Sequence, residues 1–146
     1  MLDSVAIARI LPHRFPFLFI DRVVEVTPGQ SIVALRMISS SDPILQGHFP
    51  GNPIVPGVVQ VETMAQAAVI LAHLSGEFDP ATQDCLFIGI EDAKFRAVAV
   101  PGETLRIEVQ AERLGRIGKF SGRVLADDQV KCSAKFSAIV APKRAG

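Results

Sequence analysis

The chain has 146 residues, which at ~150 residues per domain reads as one domain over 1–146, long enough to bury roughly two-thirds of its unfolded surface. Lys+Arg and Asp+Glu are 15 each and no basic stretch stands out, which argues against nucleic acid and against an anionic membrane surface, since both need clustered cations. Hydrophobic residues make up 49% and charged residues 21%, with a mean hydropathy of +0.34; this favours an oligomer that buries surface against its own copy over a monomer with a large core.

Residues 2–10 (LDSVAIARI) predict a short helix with Asp3 or Ser4 as N-cap, stopped by Pro12. Residues 17–26 (FLFIDRVVEV) and 31–38 (SIVALRMI) predict two strands joined through the turn Thr27-Pro28-Gly29-Gln30, a hairpin. Residues 43–57 contain four prolines and three glycines, which predicts a stiff, shaped loop. After Gly57, VVQVETMAQAAVILAHLSG predicts the one long helix, ~17 residues, ended by Gly76 and apolar nearly all round, hence buried. Its length, with Gln60, Glu62, Thr63, Gln66 and His73, argues against a membrane span. Residues 85–98 predict one or two strands, and 104–113 alternate strictly, with Leu105, Ile107, Val109 and Ala111 on one face. Strands at 117–126 and 129–140 follow, joined at Asp127-Asp128. One apolar helix among five or more strands predicts an α+β fold, a curved antiparallel sheet around that helix.

Cys85 and Cys132 form no CxxC, and the first residues lack a basic signal-peptide region, so a reducing cytoplasm is the expected compartment. With neither Trp nor Tyr in the chain, tyrosine acid–base chemistry is excluded.

Between residues 43 and 76 Glu62 is the only charged side chain. A carboxylate on an apolar helix is costly to bury unless paired or protonated, and catalysis is one common reason for it; an open edge or an arginine partner is the plain alternative. His48 lies in Gly47-His48-Phe49-Pro50-Gly51, whose stiff backbone can aim an imidazole, although a loop histidine can equally cap a neighbour. Gly57 opens the helix, where free N–H groups can polarise a carbonyl, or it simply makes the Pro56-Gly57 turn. Gln66, four residues after Glu62, shares its helix face. His13, beside Arg14, and His73, near the helix end, read as structural. Three scattered histidines and two scattered cysteines offer no metal-ligand spacing, and no nucleotide-binding glycine motif occurs. One acid, one base and one backbone donor suit proton abstraction beside a carbonyl with loss of a neighbouring group, or general-base hydrolysis of a thioester.

The segments LPHRFPFLFIDRV (11–23), GHFPGNPIVPGV (47–58), VETMAQ (61–66) and KFRAVAVPGETL (94–105) resemble, in order and spacing, the FabZ-type 3-hydroxyacyl-acyl-carrier-protein dehydratases of bacterial fatty acid synthesis. The resemblance implies a hot-dog fold and a homodimer, commonly three to a hexamer. It also implies a cofactor-free, metal-free hydro-lyase that turns (3R)-hydroxyacyl thioesters carried by acyl carrier protein into trans-2-enoyl thioesters. By the same resemblance His48 and Glu62 are the catalytic pair, drawn from opposite subunits, with His48 expected to take the α-proton and Glu62 to protonate the departing hydroxyl. Gly57 is expected to bind the thioester carbonyl, and Gln66 and Phe49 to support the pair. Val58, Val59, Phe87 and Phe95 are the expected lining of a narrow acyl tunnel. Glu62, where the related dehydratase/isomerases have Asp, favours simple dehydration. Phe15 stands where the family usually has Tyr, and Asn52 and Ala97 where relatives are often basic.

Two other functions share these residues. A hot-dog thioesterase would release free thiol, and the GHFPG loop argues against it. A non-catalytic acyl-binding subunit would not need an intact His48 and Glu62.

Overall fold

A computed structural model describes residues 1–144; residues 145 and 146, the end of the expected domain, lie outside the described residues. In chain order the elements are α1 (Ser4–Ile10), β1 (Arg22–Thr27), β2 (Ser31–Met37), a 3-10 turn (Pro43–Leu45), α2 (Gly57–Leu74), β3 (Gln83–Phe95), β4 (Thr104–Arg113), β5 (Ile117–Ala126) and β6 (Gln129–Pro142). The strands form one six-stranded sheet in the order β1-β2-β4-β5-β6-β3, antiparallel throughout.

Asp3 is the N-cap of α1: its Oδ1 accepts from the Ala6 N–H at 2.9 Å. β4 has the expected bounds, and its alternation places Leu105, Ile107 and Val109 in the core, each at most 1% exposed. α2 packs against β2, β3, β4, β5 and β6. A helix is about 10 Å across, and five strands at ~4.8 Å spacing span about twice that, so the sheet curls around α2. This is the hot-dog arrangement, and it explains a helix that is apolar nearly all round: α2 is long and apolar enough to cross a membrane, yet 67% of it is buried inside the fold. Met64, Ala67, Ile70 and Leu71 are fully enclosed.

Two expected elements differ. The strand expected over 17–26 starts only at Arg22, because the backbone of Phe17 and Phe19 is bonded to the side chain of Gln66 and not to a neighbouring strand. Residues 85–98 hold one strand, not two: β3 runs on through register shifts at Phe87/Gly89 and Glu91/Lys94, where Asp92 takes a φ of +51°. Such bulges bend a strand without ending it.

Candidate active site

Glu62 sits in the second turn of α2, half-buried, and Gln66 is one turn further on and fully buried. The Gln66 amide is saturated. Its Nε2 donates to Glu62 Oε2 at 3.0 Å and to the Phe17 carbonyl at 2.9 Å, and its Oε1 accepts from the Phe19 N–H at 2.8 Å. Glu62 is thereby held in one orientation by an amide that is itself fixed at both ends. Burial raises the proton affinity of the Glu62 carboxyl, and the Gln66 hydrogen bond offsets part of that rise.

Glu62 borders two apolar cavities. One, about 170 Å³, is lined by Glu62, Gln66 and His13 together with Val69, Phe120 and Phe136 among others. The other, about 380 Å³, brings Glu62 together with all four expected tunnel residues, Val58, Val59, Phe87 and Phe95. Among these residues Val59 is buried, whereas Val58 and Phe95 are 73% and 54% exposed in the single chain.

His48 sits in the proline loop before α2. Its Nδ1 lies 3.0 Å from the Ile54 carbonyl oxygen, which can only accept, so Nδ1 carries a hydrogen and Nε2 is the nitrogen that bears the lone pair in the neutral ring. The loop is pinned where the Ile54 N–H donates to the His48 carbonyl at 2.9 Å and the Val55 N–H to Ala99 at 2.8 Å. The Phe49 ring stacks on the imidazole, centroids 4.1 Å apart, across a cis peptide. His48, Gly57, Gln60, Phe95 and Ala97 line a third cavity of about 270 Å³. The Gly57 N–H finds no hydrogen-bond partner among the described residues. The room left by its missing Cβ is not open, however: a Cβ there would lie 2.6 Å from the Phe95 ring. Glycine at 57 therefore lets the Phe95 ring lie against the start of α2, as well as offering a free donor.

The structure thus brings Glu62 to Gln66, and His48 to Gly57. His48 and Glu62 line different cavities, and Phe95 lines both of those. His13, which reads from the sequence as structural, has its Nε2 3.7 Å from Glu62 Oε2 in the same cavity. No local pattern signals a partnership between positions 49 apart. Cys85 also lines that cavity, its thiol pushed up to about 11 by burial and so unreactive. His73 stays at the helix end, Nδ1 2.9 Å from the Phe78 carbonyl.

The FabA-like domain family matches residues 11–135 of this chain. A 3-hydroxyacyl-(acyl-carrier-protein) dehydratase FabZ from Bordetella petrii is 45% identical over 140 residues, covering 92% of this chain and 93% of that protein. The FabZ of Chloroflexus aggregans is 46% identical over 137 residues (93% and 94% covered), and that of Myxococcus xanthus 39% over 145 (99% and 95%). The chain belongs to the FabZ family of 3-hydroxyacyl-(acyl-carrier-protein) dehydratases, which are hydro-lyases. Among solved structures, a dehydratase heterocomplex from Xenorhabdus doucetiae superposes with a TM-score of 0.80 at 20% identity, covering 94% of this chain and 91% of that one. A mutant thioesterase from Pseudomonas aeruginosa gives 0.60 at 20% identity, covering 82% and 80%. At such identities the two share its fold.

Proposed function

We propose that this chain dehydrates (3R)-hydroxyacyl thioesters borne by acyl carrier protein, in the cytoplasm and for fatty acid synthesis, with His48 as base and Glu62 as acid. The observation that carries this reading is the state of Glu62: a carboxyl anchored at one oxygen, facing apolar space and raised in proton affinity, suited to holding a proton and giving it up. His48 Nε2 removes a proton from C2 of the substrate. The electron pair forms the C2=C3 bond as the C3–O bond breaks, and the Glu62 proton goes to the departing hydroxyl, giving water. The negative charge that builds on the thioester oxygen is met by the free Gly57 N–H. The proton on His48 and the vacancy on Glu62 are then exchanged through solvent, so neither residue is consumed.

The separate cavities of His48 and Glu62 support a site built between two copies of the chain. So does β3, an outer strand of the sheet on which Leu86, Ile88 and Ile90 are each about half exposed, at 54%, 52% and 51%. Unpaired apolar edges of this kind are covered in stable proteins, and a second copy is the natural cover. We read the unit as a homodimer, assembled to a hexamer. The deciding experiment incubates the protein with 3-hydroxyacyl carrier-protein substrates of graded length. Conjugated enoyl thioester is expected, and free thiol in its place would overturn the reading in favour of thioester hydrolysis.

A further inference from the structure

Glu62 has a second neighbour besides Gln66. His13 Nε2 stands 3.7 Å from Glu62 Oε2, the same oxygen that receives the Gln66 N–H at 3.0 Å. The proton on His13 can be located. Its Nδ1 is buried with no hydrogen-bond partner. An ionised carboxylate can only accept, so the tautomer that suits the pair carries its hydrogen on Nε2, facing Glu62, and leaves Nδ1 bare. Burial and the adjacent Arg14 charge both lower the proton affinity of the ring.

Its position is fixed as well. The Arg14 guanidinium donates to the carbonyls of Ala8, Leu11 and His13 itself, at 2.9, 2.8 and 2.6 Å, which clamps the backbone on either side. The imidazole stacks on Phe17, centroids 6.2 Å apart, and the Phe17 carbonyl is in turn held by Gln66. His13, Phe17, Gln66 and Glu62 therefore close a ring of contacts around one carboxyl oxygen.

Resting on the dehydratase reading, we propose that His13 is a positioning residue for Glu62. Its Nε2–H and the Gln66 amide both address Oε2, leaving Oε1 as the oxygen that carries the transferred proton. At 3.7 Å the His13 contact is longer than a hydrogen bond, and catalytic contacts of this sort shorten when substrate fills the site. Among the described residues the only other titratable group lining the two cavities at Glu62 is Cys85 from β3, neutral with its thiol at about 11. The Arg14 charge is spent on backbone carbonyls. With one donor on Oε2 removed, the charged form of Glu62 is less well held.

The test compares His13→Phe, which keeps a ring and loses the donor, with His13→Gln, whose amide nitrogen reaches the Nε2 position. Should the Phe variant not fold, His13→Asn, whose amide ends at the Nδ1 position, serves in its place. The primary readout is the carbon-13 NMR titration of the Glu62 carboxyl, assigned by its loss in Glu62→Gln; it needs no substrate and so stands even if the dehydratase reading fails. Loss of the donor is expected to raise the Glu62 midpoint by about half a unit or more. In the assay it is expected to lower kcat roughly tenfold with little change in KM. His13→Gln stays close to the wild type in both. A donor-free variant with an unmoved midpoint, or one shifted equally by the Gln variant, overturns the proposal.

Discussion

Gln66 Nε2 stands 3.0 Å from Glu62 Oε2 while the same amide bonds the backbone of Phe17 and Phe19. One side chain thus both orients the proposed acid and closes the segment before β1 onto α2. Replacing it removes both duties together. Gln66→Leu leaves the buried Phe19 N–H without an acceptor, at a cost of about 1–3 kcal/mol, and frees the Glu62 carboxyl to rotate. Urea unfolding is expected to show that loss of stability, and turnover to fall while the protein is still folded. Unchanged stability would mean the Phe19 N–H finds another partner.

Glu62 is the place where function and stability oppose each other. Its carboxyl has a higher proton affinity in the folded chain than the ordinary value of 4.5, chiefly through burial. A raised carboxyl pKa stabilises the fold while the group is protonated; that contribution is complete below the unfolded value and is lost as pH rises through the folded one. Glu62→Gln, which never ionises, is therefore expected to be nearly inactive yet more stable than the wild type at neutral pH. The gap should narrow as pH falls towards 4.5 and close below it. Denaturant midpoints of the two proteins across that range measure it, and a gap that widens on acidification would reverse the assigned direction.

Much of the fold is legible in the chain because β4 and α2 follow their own periods. Leu105, Ile107 and Val109 alternate inward with nothing to override them, and α2 is apolar nearly all round because strands cover it on most sides. The segment 17–21 misleads for a physical reason: its Phe and Ile composition suits a strand, but the partner for its backbone is a glutamine amide on a helix 47 positions away. Gln66 beside Glu62 is readable, being one helical turn apart. His13 beside Glu62 is not, since only the closed fold brings α1 and its following loop against α2.

Gly57 makes a claim on packing that can be separated from its free N–H. An alanine Cβ would sit 2.6 and 2.7 Å from two atoms of the Phe95 ring, well inside contact distance. Phe95 is half exposed and can swing aside, so Gly57→Ala is expected to fold. The displaced ring would then intrude on the cavities of His48 and Glu62, both of which Phe95 lines, and turnover should drop about tenfold or more from misplacement alone. Adding Phe95→Ala removes the obstruction while keeping the residue-57 N–H. Recovery of turnover in the double variant assigns the defect to the ring; no recovery assigns it to the helix N-terminus.

His48 and Glu62 occupy different cavities of one chain, and the proposed mechanism needs them together. A site shared between subunits makes a quantitative demand. His48→Ala and Glu62→Gln are each expected to be nearly inactive, since a positioned acid or base contributes about 100-fold or more. When equal amounts are unfolded together and reassembled, random pairing across a two-fold interface gives about half mixed dimers. In each mixed dimer one site holds both lesions and the other holds neither. With independent sites, about a quarter of wild-type activity should return. If each site lies within one chain, every site keeps a lesion and nothing returns. Native mass spectrometry identifies the mixed dimers, and an inactive mixed dimer would falsify the shared site.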